Sequence, residues 1–401
     1  MKVLLLGADG FIGRHLAFHL RDQGHEVLAQ ARDPRRLARM GFSTLRADLT
    51  DPATHSPDFW RDALAGGHLI SAAGLLTGSE AAFRAVHHAA PKAALEALPN
   101  GHHALLISAI GIEADTAFAR WRRVTEALFA GHGILRPGLV LADTSYGGSS
   151  ALRAFAALPF LTPVVGDGRQ MFNPVHARDL AAIALDHLTS PRGTVEVGGA
   201  EVLSLTDLTL LIRRWLGLPA QPPLHIPLPL ARGLGRLGDA LRLGPISLTA
   251  VTQLQTGVLA AQATGARGVT EFVMARPAGT QDLWQARLYL LKPLIRLTLA
   301  ALWLASAALG LTLPADAFPE VAAPPLLAPL GGLIDLGLGL ALLRNWQPRL
   351  IGLAQLGVVA SYTLGLTLLA PALWLDPYGG LLKNLPVLVL ILTHIALTEE
   401  R

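Results

Sequence analysis

Three glycines, Gly7, Gly10 and Gly13, follow the apolar run "KVLLL" at intervals of three and open a segment with helical periodicity. In that context each has a physical task. The first makes a tight turn, the second lets main chain approach a pyrophosphate, and the third allows close packing of helix on strand. The amides at the mouth of the helix, those of Phe11 and Ile12 among them, then face the phosphates. A purely structural turn would use the same glycines, but their place between a first strand and a first helix favours a dinucleotide. Arg32 ends the next apolar run, where NAD sites place an acid against the ribose hydroxyls. A guanidinium there suits a 2′-phosphate and favours NADP, with NAD as the alternative. Arg35 and Arg36 add positive potential, although these arginines equally suit a solvated helix start. Asp48, with Leu49 beside it, closes a third apolar run and can accept from an adenine amino group or cap a turn. Ala72, Ala73 and Gly74 end a fourth, where small residues let a ribose approach the sheet.

Positioning these residues requires alternating strands and helices, and the chain supplies them. "FIGRHLAFHLRDQG" places Ile12, Leu16 and Leu20 on one helical face and stops at Gly24. "HEVLAQAR", "FSTLRADL", "HLISAAG", "HALLISAIG" and "GILRPGLVLA" read as strands separated by helical segments. One of these, "EAAFRAVHHAAPKAALEAL", is expected to break at Pro91. Repeated βα units with apolar strands predict a Rossmann-type doubly wound parallel sheet covered on both faces. A helix is expected from about Ala177, and another after Ser204 or Thr206 with Gly217 as its stop. The expected divisions are a nucleotide-binding domain over 1–217, a substrate-side lobe or linker over 218–285, and a helical domain over 286–401.

These motifs resemble the extended and atypical short-chain dehydrogenase/reductase superfamily. "GADGFIG", "ADL" at Ala47–Leu49, "SAAG" at Ser71–Gly74 and "LRPG" at Leu135–Gly138 carry the resemblance over roughly residues 1–280. The best match is the group related to nucleotide-sugar epimerases and to a respiratory complex I accessory subunit. The resemblance implies a serine, a tyrosine and a lysine, with the tyrosine as general acid/base. Ser108 falls at the serine position, Phe118 at the tyrosine and Arg122 at the lysine, with Glu126 further along the helix. Phenylalanine has no proton to exchange, and an arginine that stays charged is a poor proton shuttle. The binding scaffold is retained while the usual catalytic pair is absent. Ser108, Arg122 and Tyr146, in "TSYGGSS", are the remaining catalytic candidates, with Arg122 also a candidate cofactor contact. His176 and Asp179 could form an acid/base pair, or cap a helix and order a loop. The adjacent pairs His87/His88 and His102/His103 lack a carboxylate at metal-site spacing and read as surface or helix-end residues, so no metal is expected.

Of the 401 residues, 51% are hydrophobic and 15% charged, and beyond about Leu290 charges almost vanish. Four apolar segments follow, about Leu294–Leu313, Leu326–Leu343, Leu350–Leu369 and Leu381–Leu397. A span needs ~20 mostly apolar residues. The first and third satisfy this, and the others fit as members of a bundle. "LIDLGLGLALL" and "KNLPVLVLILTHIAL" resemble the DoxX-like family of four-helix membrane proteins, some of which are linked to quinone or thiol redox systems. With no cysteine, disulfides, thiolate metal ligands and thiol redox chemistry are ruled out. Asp335 inside a span is a functional-site candidate by default, with a wet position near an interface as the alternative.

Arg287, Lys292 and Arg296 precede the first span and Arg344 and Arg349 lie between the second and third, whereas the opposite side carries Asp316, Glu320 and Asp376, with only Lys383 against it. The positive-inside rule then places both chain ends in the cytoplasm, at an inner membrane. The N-terminal apolar run is too short for a signal peptide, which agrees with an unexported domain. The formal net charge of +4 comes without an aromatic-interleaved basic stripe, so nucleic acid is not an expected partner. The expected partners are membrane lipid and a quinone, another lipid-like substrate or a membrane protein. The expected function is that of a membrane-anchored NAD(P)-dependent oxidoreductase, or an epimerase, with a degenerate catalytic motif; a non-catalytic NADPH sensor or scaffold is the alternative.

Overall fold

Val3, Leu4, Leu5 and Leu6 are all fully buried, as only a strand covered on both faces can be. They belong to β1 (Lys2–Leu6), which lies inside a parallel sheet in the computed structural model; the structure describes residues 1–243, 246–261, 263–314, 324–377 and 379–399. Asp316 and Glu320, used above for membrane orientation, and the closing Glu400 and Arg401 lie outside the described residues. The chain divides into two compact units, Met1–Gly233 with Leu248–Leu283, and Leu234–Ser247 with Trp284–Arg401.

In the first unit the remaining strands of the sheet are β2 (Glu26–Ala31), β3 (Ser43–Arg46), β4 (Gly67–Ser71), β5 (Ala104–Ile107), β6 (Gly133–Pro137), β7 (Thr194–Gly199) and β8 (Ala263–Ala266). Among the described residues the order is β8-β7-β6-β5-β4-β1-β2-β3, every pairing parallel. Connections run one way from β1 through β2 to β3 and the other way from β4 onward. The reversal between β1 and β4 opens a crevice at the carboxyl ends of the strands, the usual ligand position in such sheets.

Helices α1 (Phe11–Asp22), α2 (Arg35–Arg39), α3 (Pro57–Leu64), α4 (Glu80–Arg84), α5 (Ala90–Glu96) and α6 (Ala117–Leu128) connect these strands. They are followed by α7 (Gly148–Ala156), α8 (Ala177–Thr189), α9 (Leu205–Trp215), α10 (Leu228–Ala240), α11 (Leu248–Thr256) and α12 (Val269–Met274). Leu16 and Leu20 of α1 and Leu180 and Leu188 of α8 pack with Val3 and Leu5 on one face of the sheet. Trp60 and Leu64 of α3, Ala93 of α5 and Phe129 pack with Leu4 and Leu6 on the other. Burial on both faces follows from the absence of polar alternation in the strands.

Two local readings are settled by hydrogen-bond partners. Ser204, not Thr206, caps α9, its hydroxyl accepting from the Asp207 amide at 3.1 Å. No break occurs at Pro91; instead a π-helical turn, Ala85–Ala89, joins α4 to α5. Proline has no N–H to give the carbonyl four residues back. That carbonyl, of His87, accepts the Thr125 hydroxyl of α6 at 2.7 Å. Residues 218–285, expected as a lobe or linker, include β8 and a short strand, Pro223–Ile226, parallel to Thr162–Val165.

The second unit contains the later part of α10, α13 (Thr280–Thr312) from Trp284 onward, α14 (Pro324–Leu343), α15 (Pro348–Leu369) and α16 (Asn384–Leu397). Among the described residues three helices are long and apolar enough to cross a membrane, with mean hydropathies of 1.8, 2.0 and 1.5. The fourth, α16, has 14 residues and spans roughly 21 Å at about 1.5 Å per residue, less than the ~30 Å hydrocarbon core. Leu381–Lys383, read from sequence as its start, form turns instead. Small residues let the helices approach closely. A side chain on Gly310 would press on the Ala328 carbonyl and the Gly332 backbone, and one on Gly352 would overlap Ile395.

Candidate functional site

Gly7 adopts φ +73°, a region that favours glycine, and a side chain there would strike the backbone of Ala73. Its amide donates to Gln30 Oε1 at 2.8 Å, while Gln30 Nε2 donates to the Ala47 carbonyl at 2.6 Å. Gln30 thereby ties the glycine turn to β2 and to the chain leaving β3. The sequence reading missed this residue, although an amide inside the apolar strand "EVLAQA" was the available signal, because a buried amide must find partners. A side chain on Gly13 would collide with the Gly7 carbonyl, so the third glycine sets the approach of α1 to β1.

Gly10 is the N-cap of α1, solvent-exposed and without a side-chain cap, and the first turn holds no acid. Helical geometry leaves the amides of Phe11, Ile12 and Gly13 without intrahelical acceptors. A side chain added at Gly10 would meet only the Gly7 carbonyl, at 3.2 Å. The mouth of α1 is therefore open, carries the positive end of the helix dipole, and fits a pyrophosphate.

Arg32, just beyond β2, is exposed and makes no hydrogen bond or ion pair among the described residues. Asp33 is engaged by Arg35, whose Nε and Nη2 lie 2.8 and 2.6 Å from its two oxygens. Arg36 keeps a buried Nη1 that has no partner among the described residues. The corner thus holds two guanidinium groups and one carboxylate already neutralised by a third. Asp48 accepts from the amide and hydroxyl of Thr50 at 2.9 and 2.8 Å, and those two bonds hold its carboxyl below the ordinary range. One of its oxygens is therefore occupied in capping the turn. The Leu49 side chain is buried in the core, which leaves its backbone as the part able to meet a ligand.

Behind the crevice, Ser108, Phe118 and Arg122 occupy the ends of β5 and α6. Arg122 is only 5% exposed. Its Nη1 lies 3.4 Å from the Ala73 carbonyl and 3.3 Å from that of Ile107, and its guanidinium stands 5.5 Å from the Phe118 ring centre. Burial pushes it down to about 10, partly opposed by Glu126. Gly74 has no side chain where this guanidinium lies. Ser108 donates to Glu126 Oε1 at 2.5 Å, and Glu126 also receives Arg136 at 2.9 and 2.6 Å. His87, buried in the π-helical turn, accepts the Leu75 amide at 3.0 Å. Burial, reinforced by Arg122, pushes it down to about 3, so it is neutral.

Tyr146 stands elsewhere. It is 58% exposed and stacked on Phe11 with ring centres 6.5 Å apart, beside the mouth of α1. Its loop is anchored at Asp143, which accepts from Arg178 at 3.0 Å and Arg276 at 3.1 Å, and at Thr144, 3.1 Å from His15. Burial, aided by His176, pushes His15 down to about 4. His176 and Asp179 serve structural partners. His176 Nδ1 accepts the Arg178 amide at the start of α8, and Asp179 pairs with Arg267 at 2.8 Å. Among the described residues no group of three or more His, Asp or Glu side chains could hold a metal ion.

Residues 7–133 match a family model described as NAD(P)H-binding. Residues 294–392 match the model of the DoxX-like family. The chain joins an NAD(P)-binding Rossmann-like domain to a DoxX-like multi-helix membrane domain. No curated protein matches it. Among solved structures it is similar to a UDP-glucose 4-epimerase of Thermotoga maritima with UDP-glucose, at 14% identity and TM-score 0.49, over 73% of this chain and 100% of that one. It is similar to a Thermus thermophilus UDP-glucose 4-epimerase complexed with NAD, at 19% identity and TM-score 0.45, over 57% and 86%. It is also similar to a Bacillus anthracis dTDP-glucose 4,6-dehydratase in complex with NAD, at 11% identity and TM-score 0.46, over 57% and 84%.

Proposed function

We propose that the N-terminal domain binds NADP(H) in preference to NAD(H) and acts at a membrane as a cofactor-dependent sensor or scaffold. The observation that carries this reading is the contrast between an open glycine turn and a closed catalytic corner. The half-buried Phe11 and Ile12 present their amides at the helix mouth beside the exposed Gly10, with Gly13 buried behind them. Arg122 is buried against the carbonyls of Ala73 and Ile107, Phe118 carries no proton, and the Ser108 hydroxyl is given to Glu126. Arg32 and Arg36 supply the charge that a 2′-phosphate needs. Bound NADPH would supply a hydride, and none of Ser108, Phe118 or Arg122 is arranged to pass the accompanying proton.

A second reading is favoured by Tyr146. Its exposed phenol on Phe11 could donate that proton to a small or lipid-like acceptor such as a quinone, which would make the chain an oxidoreductase. Purified full-length protein in detergent micelles is titrated with NADPH and NADH, then mixed with short-chain quinones while cofactor absorbance is followed. Tight NADPH binding without oxidation supports the sensor or scaffold. Oxidation abolished by Tyr146→Phe supports the second reading. Failure to bind either cofactor overturns both.

We place the nucleotide-binding domain in the cytoplasm, at the inner membrane. Arg287, Lys292 and Arg296 lie before or near the start of the first long apolar stretch, and Arg344 and Arg349 lie between α14 and α15, which is the positive-inside pattern.

A further inference from the structure

Asp335 lies where α13, α14 and α15 meet, 3% exposed in the middle of a helix long enough to cross a membrane. The Ser306 hydroxyl of α13 donates to its Oδ2 at 2.6 Å, and the Tyr362 phenol of α15 lies 3.5 Å from Oδ1. The phenol reaches across because Gly331, one turn before Asp335, has no side chain, and a Cβ there would sit 3.1 Å from the phenol oxygen. Among the described residues no lysine, arginine or histidine pairs with Asp335, and its only electrostatic neighbours are these two hydroxyls. Lys292 and Arg296 of α13 act on His394 of α16 and are not among the groups that act on Asp335.

A charged carboxylate at this depth is costly even on the mildest scale. Two neutral hydroxyls do not cancel that charge. A bare metal ion would need about six oxygen ligands, more than one carboxyl and two hydroxyls provide. A proton needs only the carboxylate itself.

The surroundings are unequal in the two directions. Toward the C-terminal ends of α13 and α15, polar groups continue. Asn384 donates to the Thr363 hydroxyl at 2.9 Å, and Trp374 to the Thr367 hydroxyl at 3.0 Å. Toward their N-terminal ends lies the apolar cluster of Leu299, Leu338, Leu342, Ile351 and Ile391, with the Trp303–Gln355 pair packed in it and the buried Arg296 and His394 at its far end.

We propose that Asp335 is a proton-binding site of the membrane domain, loaded and unloaded from the side reached by the C-terminal ends of α13 and α15. The carboxylate takes up one proton to form the neutral acid and returns it. One O–H bond forms or breaks and no electrons are transferred. Ser306 and Tyr362 position the carboxyl by hydrogen bonds that persist in both forms.

Dicyclohexylcarbodiimide, a lipid-soluble reagent that attacks protonated carboxyls, tests this on the purified full chain in phosphatidylcholine vesicles, with adducts located by peptide mass. The expected result is one adduct within α14, decreasing as pH is raised, lost in Asp335→Asn and kept in Asp335→Glu. Ser306→Ala and Tyr362→Phe should each move the pH of half-maximal labelling, a response that a merely structural carboxyl would not give. With inner and outer pH set independently, labelling should follow the side reached by the C-terminal end of α13. An unlabelled α14, labelling that ignores pH, or labelling unchanged in Tyr362→Phe and Ser306→Ala overturns the proposal, even if Asp335→Asn fails to fold. Labelling that follows the pH of the other side overturns the assigned direction of access.

Discussion

The guanidinium of Arg122 rests against Gly74, and a side chain added at Gly74 would overlap its Nη2. This contact ties α6 to the ends of β4 and β5. Arg122 cannot swing away freely, because the carbonyls of Ala73 and Ile107 hold it. Gly74→Ala should therefore destabilise the protein by about 1–3 kcal/mol, as overpacking does. In an Arg122→Ala background the same substitution should cost at least ~1 kcal/mol less, a coupling that a double-mutant cycle of thermal unfolding reads directly. Additive effects would mean that the contact carries no energy.

The glycine turn separates folding from binding. Gly13→Ala drives a side chain into the Gly7 carbonyl and should lower the melting temperature sharply. Gly10→Ala meets only the Gly7 carbonyl, at 3.2 Å, and points toward solvent. It should leave melting nearly unchanged while weakening cofactor binding at least ~10-fold, about 1.4 kcal/mol. Unaltered affinity in Gly10→Ala would show that the mouth of α1 does not receive the phosphates.

Arg32 is the test of cofactor choice. Arg32→Ala should weaken NADPH by roughly 10- to 100-fold, about 1.4–2.8 kcal/mol, and change NADH little. Equal losses for both would remove the argument for a 2′-phosphate at the end of β2.

Acid should unfold the N-terminal domain partly through His87. Its folded value is pushed to about 3 from an ordinary 6.5, by burial first and then by Arg122. Between those values the unfolded chain binds a proton that the folded chain refuses, so stability falls as pH drops from about 6.5 toward about 3. His87→Gln removes this linkage and can still accept the Leu75 amide. Its melting temperature should vary less between pH 7 and pH 5 than that of the wild type, whatever its value at pH 7. A wild-type curve flat across that range would refute the assignment.

The absence of cysteine makes orientation measurable. Asp58→Cys lies on the exposed surface of α3, and Leu375, 87% exposed, lies just beyond α15. In intact cells a membrane-impermeant maleimide should label Leu375→Cys and spare Asp58→Cys until the membrane is opened. The reverse pattern would invert the proposed topology.

Much of the first domain is legible from its residues. Apolar strands without alternation have to be buried on both faces, and a glycine triplet between strand and helix has few other uses. The glycine turn, the corner at Arg32 and the hydrophobic tail could all be found by position and type. Less legible were residues whose role depends on a distant partner. Gln30 looks like a stray amide until Gly7 and Ala47 are placed around it. Ser108 looks like a free hydroxyl until α6 brings Glu126 to it. Pro91 looks like a break until Thr125 takes the carbonyl that the proline leaves unserved.

By itself the sequence determined the type of each domain and the place of the glycine turn, because these follow from local periodicity and side-chain chemistry. Only the tertiary structure decided which way Arg122 points, that Tyr146 rather than Ser108 stands at the open mouth, and that Asp335 meets two hydroxyls and, among the described residues, no cation. Those facts depend on contacts between residues tens of positions apart, and side-chain direction across such contacts is set by packing.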